Sequence, residues 1–316
     1  MISLKQIRYF VAAAETQQIS AAAVSLGISQ SAVTVAIKGL ESQLGVTLIR
    51  RRVGGVALTQ DGVKFLQHAR NIEASIADSI LSMKNRESSV KGRIRFGVTY
   101  TGVGYFLLPA LARFRRAYPD ITIDLIEMER PALEQAVRRG AVDLALIIVS
   151  NLSEAHLLNV QMLMRSPRVL WLSSAHPLNK RSEISLQDLR SEPFVQFTSD
   201  EAPVSARRYL ADIGFDPNVI LRTTSMEAVR GMVATGGAIT ILASLVYRPW
   251  SLDGGRVEIR KLSEPIPTLD LGVVWSAERP ISEAERKLVD HLKAAGAGLD
   301  IGVEPGAPPG RSPVAP

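Results

Sequence analysis

Apolar residues in roughly the first ninety positions recur at three- and four-residue steps, the spacing of one helix face. Ile7, Phe10, Val11 and Ala14 give such a face to a first helix over Leu4–Glu15. Ser20 is a candidate cap for a short second helix, "SAAAVSLG", whose adjacent alanines allow close packing and whose Gly27 supplies a stop. Ser29 caps a third helix ending near Leu44 and Gly45, with Val33, Ile37, Leu40 and Leu44 inward. In "LIRRRVGGVALT", apolar and β-branched residues flank Gly54-Gly55, the chemistry of a tight hairpin turn. Two short helices joined by a glycine-containing turn, with a hairpin after the third helix, predict a winged helix-turn-helix. Thr59 then caps a long helix running to about Glu87. Phe65, Ala69, Ile72, Ile76, Ile80 and Met83 form its narrow apolar seam, with Lys64, Arg70, Asp78 and Lys84 outside it. Such a seam favours helix–helix dimerisation over packing on the chain's own domain.

The texture changes at Arg93. "RIRFGVT", "ITIDLIE" and "DLALIIV" read as strands separated by helices over Gly104–Ala117 and Ala132–Arg139, an order that implies a parallel sheet with helices on its faces. The pattern restarts with "RVLWLSS", "FVQF", "VILRTT" and "AITIL", with Ala202–Ile213 and Met226–Ala234 helical between them. "TLDLGVVW" adds a strand, Glu283–Ala295 closes the fold, and the Pro/Gly-dense residues 296–316 are expected to be disordered. The expected organisation is therefore a DNA-binding domain over 1–58, a linker helix over 59–90 and an α/β domain over 91–295. Within the last, one lobe takes about 91–163 with 269–295, and the other about 164–268.

Charge adds a partner. Residues 1–91 hold 11 Lys+Arg against 6 Asp+Glu, which leaves 26 against 25 for the rest, so nearly all the excess positive charge lies in the first third. A polyanion there competes with a merely solvated basic surface. The chain has no cysteine, which removes disulfides and thiolate chemistry. Lys5, Arg8 and Glu15 interrupt the apolar start, unlike a signal peptide, and no run is long enough for a membrane span, so a cytoplasmic protein is the expectation.

If the third helix buries Val33 and Ile37, it turns Gln30, Ser31, Thr34, Val35 and Lys38 outward. Gln pairs with adenine, Ser and Thr bond bases or phosphates, and Val touches a thymine methyl. Arg50, Arg51 and Arg52 in the hairpin, with Lys5 and Arg8, supply the backbone-binding charge that this helix lacks. Catalytic chemistry is not visible. His68, His156, His176 and His291 share no metal-ligand spacing, and "GVTYTGVG" is neither a Walker loop nor a dinucleotide fingerprint. Neither an enzymatic activity nor a cofactor is therefore expected.

The run from "LKQIRYFVAAAETQQIS" through "RRRVGGVALTQDG" resembles the DNA-binding region of the LysR-type transcriptional regulators. The resemblance continues more weakly through "LLPALARFRRAYPDITIDL", "GAVDLALI" and "MVATGGAITILAS". It implies a dimerising linker helix and an effector domain of two α/β lobes like those of periplasmic binding proteins. It also implies a homotetramer, built as a dimer of dimers, that binds and bends promoter DNA in response to a small molecule, with RNA polymerase a further candidate partner. By position, Gln30, Ser31, Thr34 and Lys38 match the DNA-contacting places and Arg50–Arg52 the wing. Ser31 stands where the family commonly has proline, Val35-Ala36 where it commonly has Arg-Gln, and Gly39 replaces a frequent basic residue. These departures shift the expectation toward methyl contact and DNA shape.

In open α/β sheets ligands sit beyond the carboxyl ends of strands, at a switch point. Thr99, Tyr100 and Thr101 end the first strand and precede a helix, whose free N–H groups favour an organic anion bonded by Thr101. Alternatively, Thr101 simply caps that helix. Met128, Phe197, Thr198 and Thr224 are expected around the same cleft. A solute-binding protein or enzyme on the same two-lobed fold is the competing reading, and an architectural DNA binder a weaker third. The first would need an export signal or a catalytic constellation, and the last leaves the α/β fold without a task.

Overall fold

A computed structural model describes residues 1–52, 55–84, 90–150, 152–200, 210–211 and 214–297, with the side chains of 52, 60, 63, 67, 74 and 77–84 excepted. The chain divides into two compact units, Met1–Ser89 and Val90–Pro316.

The first unit opens with α1 (Leu4–Thr16), fixed by a capping box in which Ser3 N–H donates to Gln6 Oε1 at 2.8 Å. α2 spans Ile19–Leu26 and α3 spans Gln30–Leu44. Ser29 caps α3 as expected, accepting from Ala32 N–H at 3.2 Å, and Gly45 ends it in the left-handed region. Ser20 does not cap α2. The cap lies two residues earlier: Gln18, in extended backbone, is already the cap residue and its carbonyl accepts from Ala22 N–H. Ile7, Phe10, Ala13, Ala23, Val33, Ile37, Leu40 and Leu48 form one core; Ala13 is fully buried, whereas Ala14 and Leu44 are only half-buried.

β1 (Ile49–Arg52) and β2 (Gly55–Leu58) pair antiparallel in the register Ile49↔Leu58 to Arg52↔Gly55; Gly54 of the expected turn lies outside the described residues. Glu41 Oε1 accepts the Leu48 and Ile49 N–H groups at 2.7 and 3.0 Å, tying the start of the hairpin to α3. Thr59 Oγ1 accepts from Gly62 N–H and starts α4 (Gln60–Lys84). The expected seam of α4 divides. Ala69 is buried and Phe65 stands edge-on to Phe10, with ring centroids 5.3 Å apart, so this half packs on its own domain. Ile72 is exposed and Ile76 half-buried; the side chains of Ile80 and Met83 lie outside the described residues.

The second unit holds two sheet systems. One sheet has the order β4-β3-β5-β12-β6, from β3 (Gly92–Val98), β4 (Ile121–Glu127), β5 (Leu144–Ile148), β6 (Leu158–Ser166) and β12 (Leu269–Ser276). β3 runs parallel to β4 and β5, as crossover helices require, but β12 is antiparallel to both β5 and β6. The sheet is therefore mixed rather than parallel, because strand periodicity carries no direction once a strand returns from a distant segment. Between β3 and β4, helix α5 (Tyr100–Gly102) runs through a π turn at Val103–Leu107 into α6 (Leu108–Ala117), and α7 spans Arg130–Arg138.

The second system comprises the antiparallel order β10-β7-β11 and a parallel pair β8–β9. Its strands are β7 (Arg168–Ser173), β8 (Pro193–Phe197), β9 (Asn218–Thr223), β10 (Thr240–Ala243) and β11 (Val257–Arg260). α8 spans Met226–Ala234 behind a Ser225 cap, and α9 spans Glu283–Ala297. Most of the expected helix over 202–213 lies outside the described residues. Gly296, expected in the tail, is instead buried in the last turn of α9, where a Cβ would stand 2.4 Å from the Leu163 carbonyl oxygen; the tail from 298 lies outside the described residues.

Candidate DNA-facing groove and inter-lobe cavity

α3 buries Val33, Ile37 and Leu40 and exposes Gln30, Ser31, Val35 and Lys38; Val35 is 69% exposed. Thr34 is half-buried and its hydroxyl donates to the Gln30 carbonyl at 2.9 Å, which leaves it free to act as an acceptor. Ser31 and Ser29 share a hydroxyl–hydroxyl bond of 2.9 Å. Arg50 and Arg51 are exposed on β1; of Arg52 only the backbone is described. Gln30, Thr34 and Arg51 line one groove of about 400 Å³ together with Gln18, Ile19, Ser20, Gly55 and Val56. The start of α2 therefore shares the floor of this groove, a contribution that helical spacing alone did not reveal. Lys5 is exposed, whereas Arg8 lies 3.7 Å from Glu73 on α4 and is partly neutralised.

In the second unit a cavity of about 40 Å³ is bounded by Thr101 from the first sheet system and by Arg168, Gln196, Phe197, Ser199 and Thr240 from the second, with Ile148, Phe194 and Leu269 among its apolar walls. Gln196 is 5% exposed. The buried Thr240 hydroxyl is unpaired among the described residues. Arg168 donates to the Pro267 carbonyl.

Of the residues expected here, Thr101 and Phe197 line the cavity, and Tyr100 stacks between Phe197 and Tyr105 with centroids 5.8 and 6.3 Å away. Burial, with Tyr105 beside it, pushes the Tyr100 phenol up to about 12. Thr99, not Thr101, is the cap residue of α5; its hydroxyl is fully buried and unpaired. Met128 packs with Leu133, Val137 and Ile147 and does not line the cavity. Neither does Thr198, whose N–H bonds the Thr223 carbonyl, nor the exposed Thr224.

The place expected to hold an anion is already filled by an acidic side chain of the chain itself. Asp200 Oδ2 accepts Thr101 N–H at 2.5 Å, from a residue held in the left-handed region at φ 63°. Burial raises the Asp200 carboxyl above the usual range; bonds from Thr101 and Tyr100 pull it back, and the charge of Glu129 pushes it up. A second carboxylate at this helix start would meet that of Asp200 in a desolvated place. Among the described residues no three His, Cys, Asp or Glu cluster as metal ligands, and no single helix is long and apolar enough to cross a membrane.

Comparison with known proteins is consistent over both units. Residues 4–63 match the family model described as bacterial regulatory helix-turn-helix protein, lysR family, and residues 87–297 match the LysR substrate binding domain. The transcriptional regulator AlsR of Bacillus subtilis is 28% identical over 277 residues, covering 87% of this chain and 89% of AlsR. BenM of Acinetobacter baylyi is 30% identical over 249 residues, covering 76% of this chain and 80% of BenM. Among solved structures, HinK of Pseudomonas aeruginosa superposes with a TM-score of 0.60 at 26% identity, over 93% of this chain and 98% of HinK.

Proposed function

The chain belongs to the LysR family of transcriptional regulators, and on that premise we propose how its own residues perform the task. α3 enters the major groove with Gln30 on an adenine edge and Val35 on a thymine methyl, while Ser31, Thr34 and Lys38 bond bases or phosphates. Arg50, Arg51 and Arg52 hold the phosphates on either side. The observation that supports this is the solvent-facing row Gln30, Ser31, Val35 and Lys38, set on a helix whose opposite face is core, beside a hairpin carrying Arg50 and Arg51.

The protein works in the cytoplasm, where promoter DNA and RNA polymerase are its partners. It acts as a dimer of dimers, with the outer half of α4, from Ile72 onward, as the dimer contact. A small effector occupies the inter-lobe cavity, where the unpaired Thr240 hydroxyl and the Gln196 side chain in the cavity wall offer it hydrogen bonds; a buried polar group without a partner, as Thr240 is, costs free energy that a ligand can recover. Gel-shift titration of the full chain against the promoter region beside its gene, with unrelated duplex as competitor, tests the central part. Retention of the promoter complex under a large excess of competitor is expected. Equal displacement by either duplex would leave only non-specific binding.

A further inference from the structure

A backbone contact docks β2 of the wing on the turn between α1 and α2. Val56 N–H donates to the Gln17 carbonyl at 2.8 Å. That N–H is therefore unavailable to Arg51, its partner across the hairpin, so Arg51↔Val56 is a pair without mutual ladder bonds and the contact faces away from β1. Gln17 is itself unusual: it is a non-glycine residue at φ 54°, the C-cap of α1 and the neighbour of the residue that caps α2. Next to the bond, Gly55 lies so close that a Cβ there would stand 2.3 Å from the Gln17 carbonyl oxygen and 3.2 Å from Gln18 Cγ. The first neighbour is backbone, held between two helices, and cannot swing aside as a side-chain tip can.

We propose that Gly55 is a positioning residue for DNA binding: its missing side chain lets β2 dock on the Gln17 carbonyl, and that docking holds Arg51 over the groove shared with Gln30 and Thr34. Any side chain at 55 lifts the hairpin off the α1–α2 turn. Arg51 stands directly across the hairpin from Val56, which makes the contact, so its guanidinium moves with the lift, whereas Gln30 and Thr34, on α3, stay in place. Gly55 thus governs the phosphate-binding part of the interface and leaves the base-reading part intact. This rests on the DNA-binding role proposed above.

The test is affinity for the promoter duplex over a range of salt concentrations, for the parent, Gly55→Ala, Arg51→Ala and the double variant. Every phosphate that the protein no longer neutralises lowers the slope of log K against log salt by about 0.9. Gly55→Ala is expected to lower the slope as much as Arg51→Ala does, and the double variant no further, while the ratio of promoter to unrelated-duplex affinity falls less than threefold. A merely structural role would reduce the folded fraction and leave the slope alone. Val56→Pro gives a second route should Gly55→Ala not fold. It removes the donor to Gln17, on the side of β2 away from the ladder, at the cost of the buried Val56 side chain, and in the folded variant is expected to lower the slope in the same way. A parental slope in the folded variants, or separate additive losses from positions 51 and 55, would overturn the proposal. A parent without any promoter preference would instead remove the DNA-binding premise.

Discussion

Asp200 changes what its neighbourhood can bind. The start of α5 was legible from "VTYTGVG" as a place with unsatisfied N–H groups, but the carboxylate filling it comes from 99 residues further along the chain. No local pattern marks that pairing, and the same is true of Gln196 and Thr240, which only the folded lobes bring beside Thr101. Gln30, Val35 and Lys38, by contrast, were legible because helical spacing places a side chain relative to neighbours three and four positions away. Asp200 also yields a pH dependence. Its carboxyl is raised in the folded state above the ordinary aspartate value of about 3.9. The native protein therefore binds this proton more tightly than the unfolded chain does. Stability from this site is full at acid pH below the unfolded value and is lost as pH rises through the raised one. Asp200→Asn carries no charge to desolvate and still accepts from Thr101. Its melting temperature is expected to exceed the parent's at neutral pH, with the gap closing as pH falls through the Asp200 titration. A melting-temperature deficit of constant size at every pH would show instead that the carboxylate stabilises the fold.

Helices were the elements best read in advance, because period and caps agree: Ser29 and Gly45 bound α3, and Thr59 starts α4. Strands were read less well. β6 was missed because it is an edge strand that leaves Val160 and Met162 exposed on either side of Gln161, and the four-residue β11 is too short for a pattern. In α4 a single apolar seam runs from a half packed on the domain to a part left at the surface, which periodicity cannot separate. Its first half joins the domain core through Phe65 and Ala69. Phe65→Ala is thus expected to destabilise the DNA-binding unit by about 2 kcal/mol, below the roughly 3–5 typical of a fully buried phenylalanine, because the ring is half-buried. Ile72→Ser, on the exposed part, is expected to leave the melting temperature within a degree or two and to weaken self-association. Thermal unfolding and sedimentation velocity on both variants check this division; a monomeric Phe65→Ala with an unaffected Ile72→Ser would reverse it.

For the whole molecule, the excess positive charge lies in the first third of the chain, and the groove with Arg51 and Gln30 lies in that third as well. The remaining α/β unit carries a cavity of about 40 Å³, room for roughly three waters, so a larger effector requires the lobes to part. Effector-driven change in DNA binding then follows from a ligand that favours one arrangement of the lobes over another. All of this depends on α3 reading base edges, and one experiment addresses that contact atom by atom. Adenines of each promoter half-site are replaced one at a time by 7-deazaadenine, which lacks the major-groove N7 acceptor, and affinity is measured for the parent and for Gln30→Ala. A single position is expected at which the parent loses roughly tenfold, in keeping with the 1–3 kcal/mol of a bidentate pair, while Gln30→Ala binds both duplexes equally. Indifference of the parent at every adenine, or the same loss in Gln30→Ala, would contradict it.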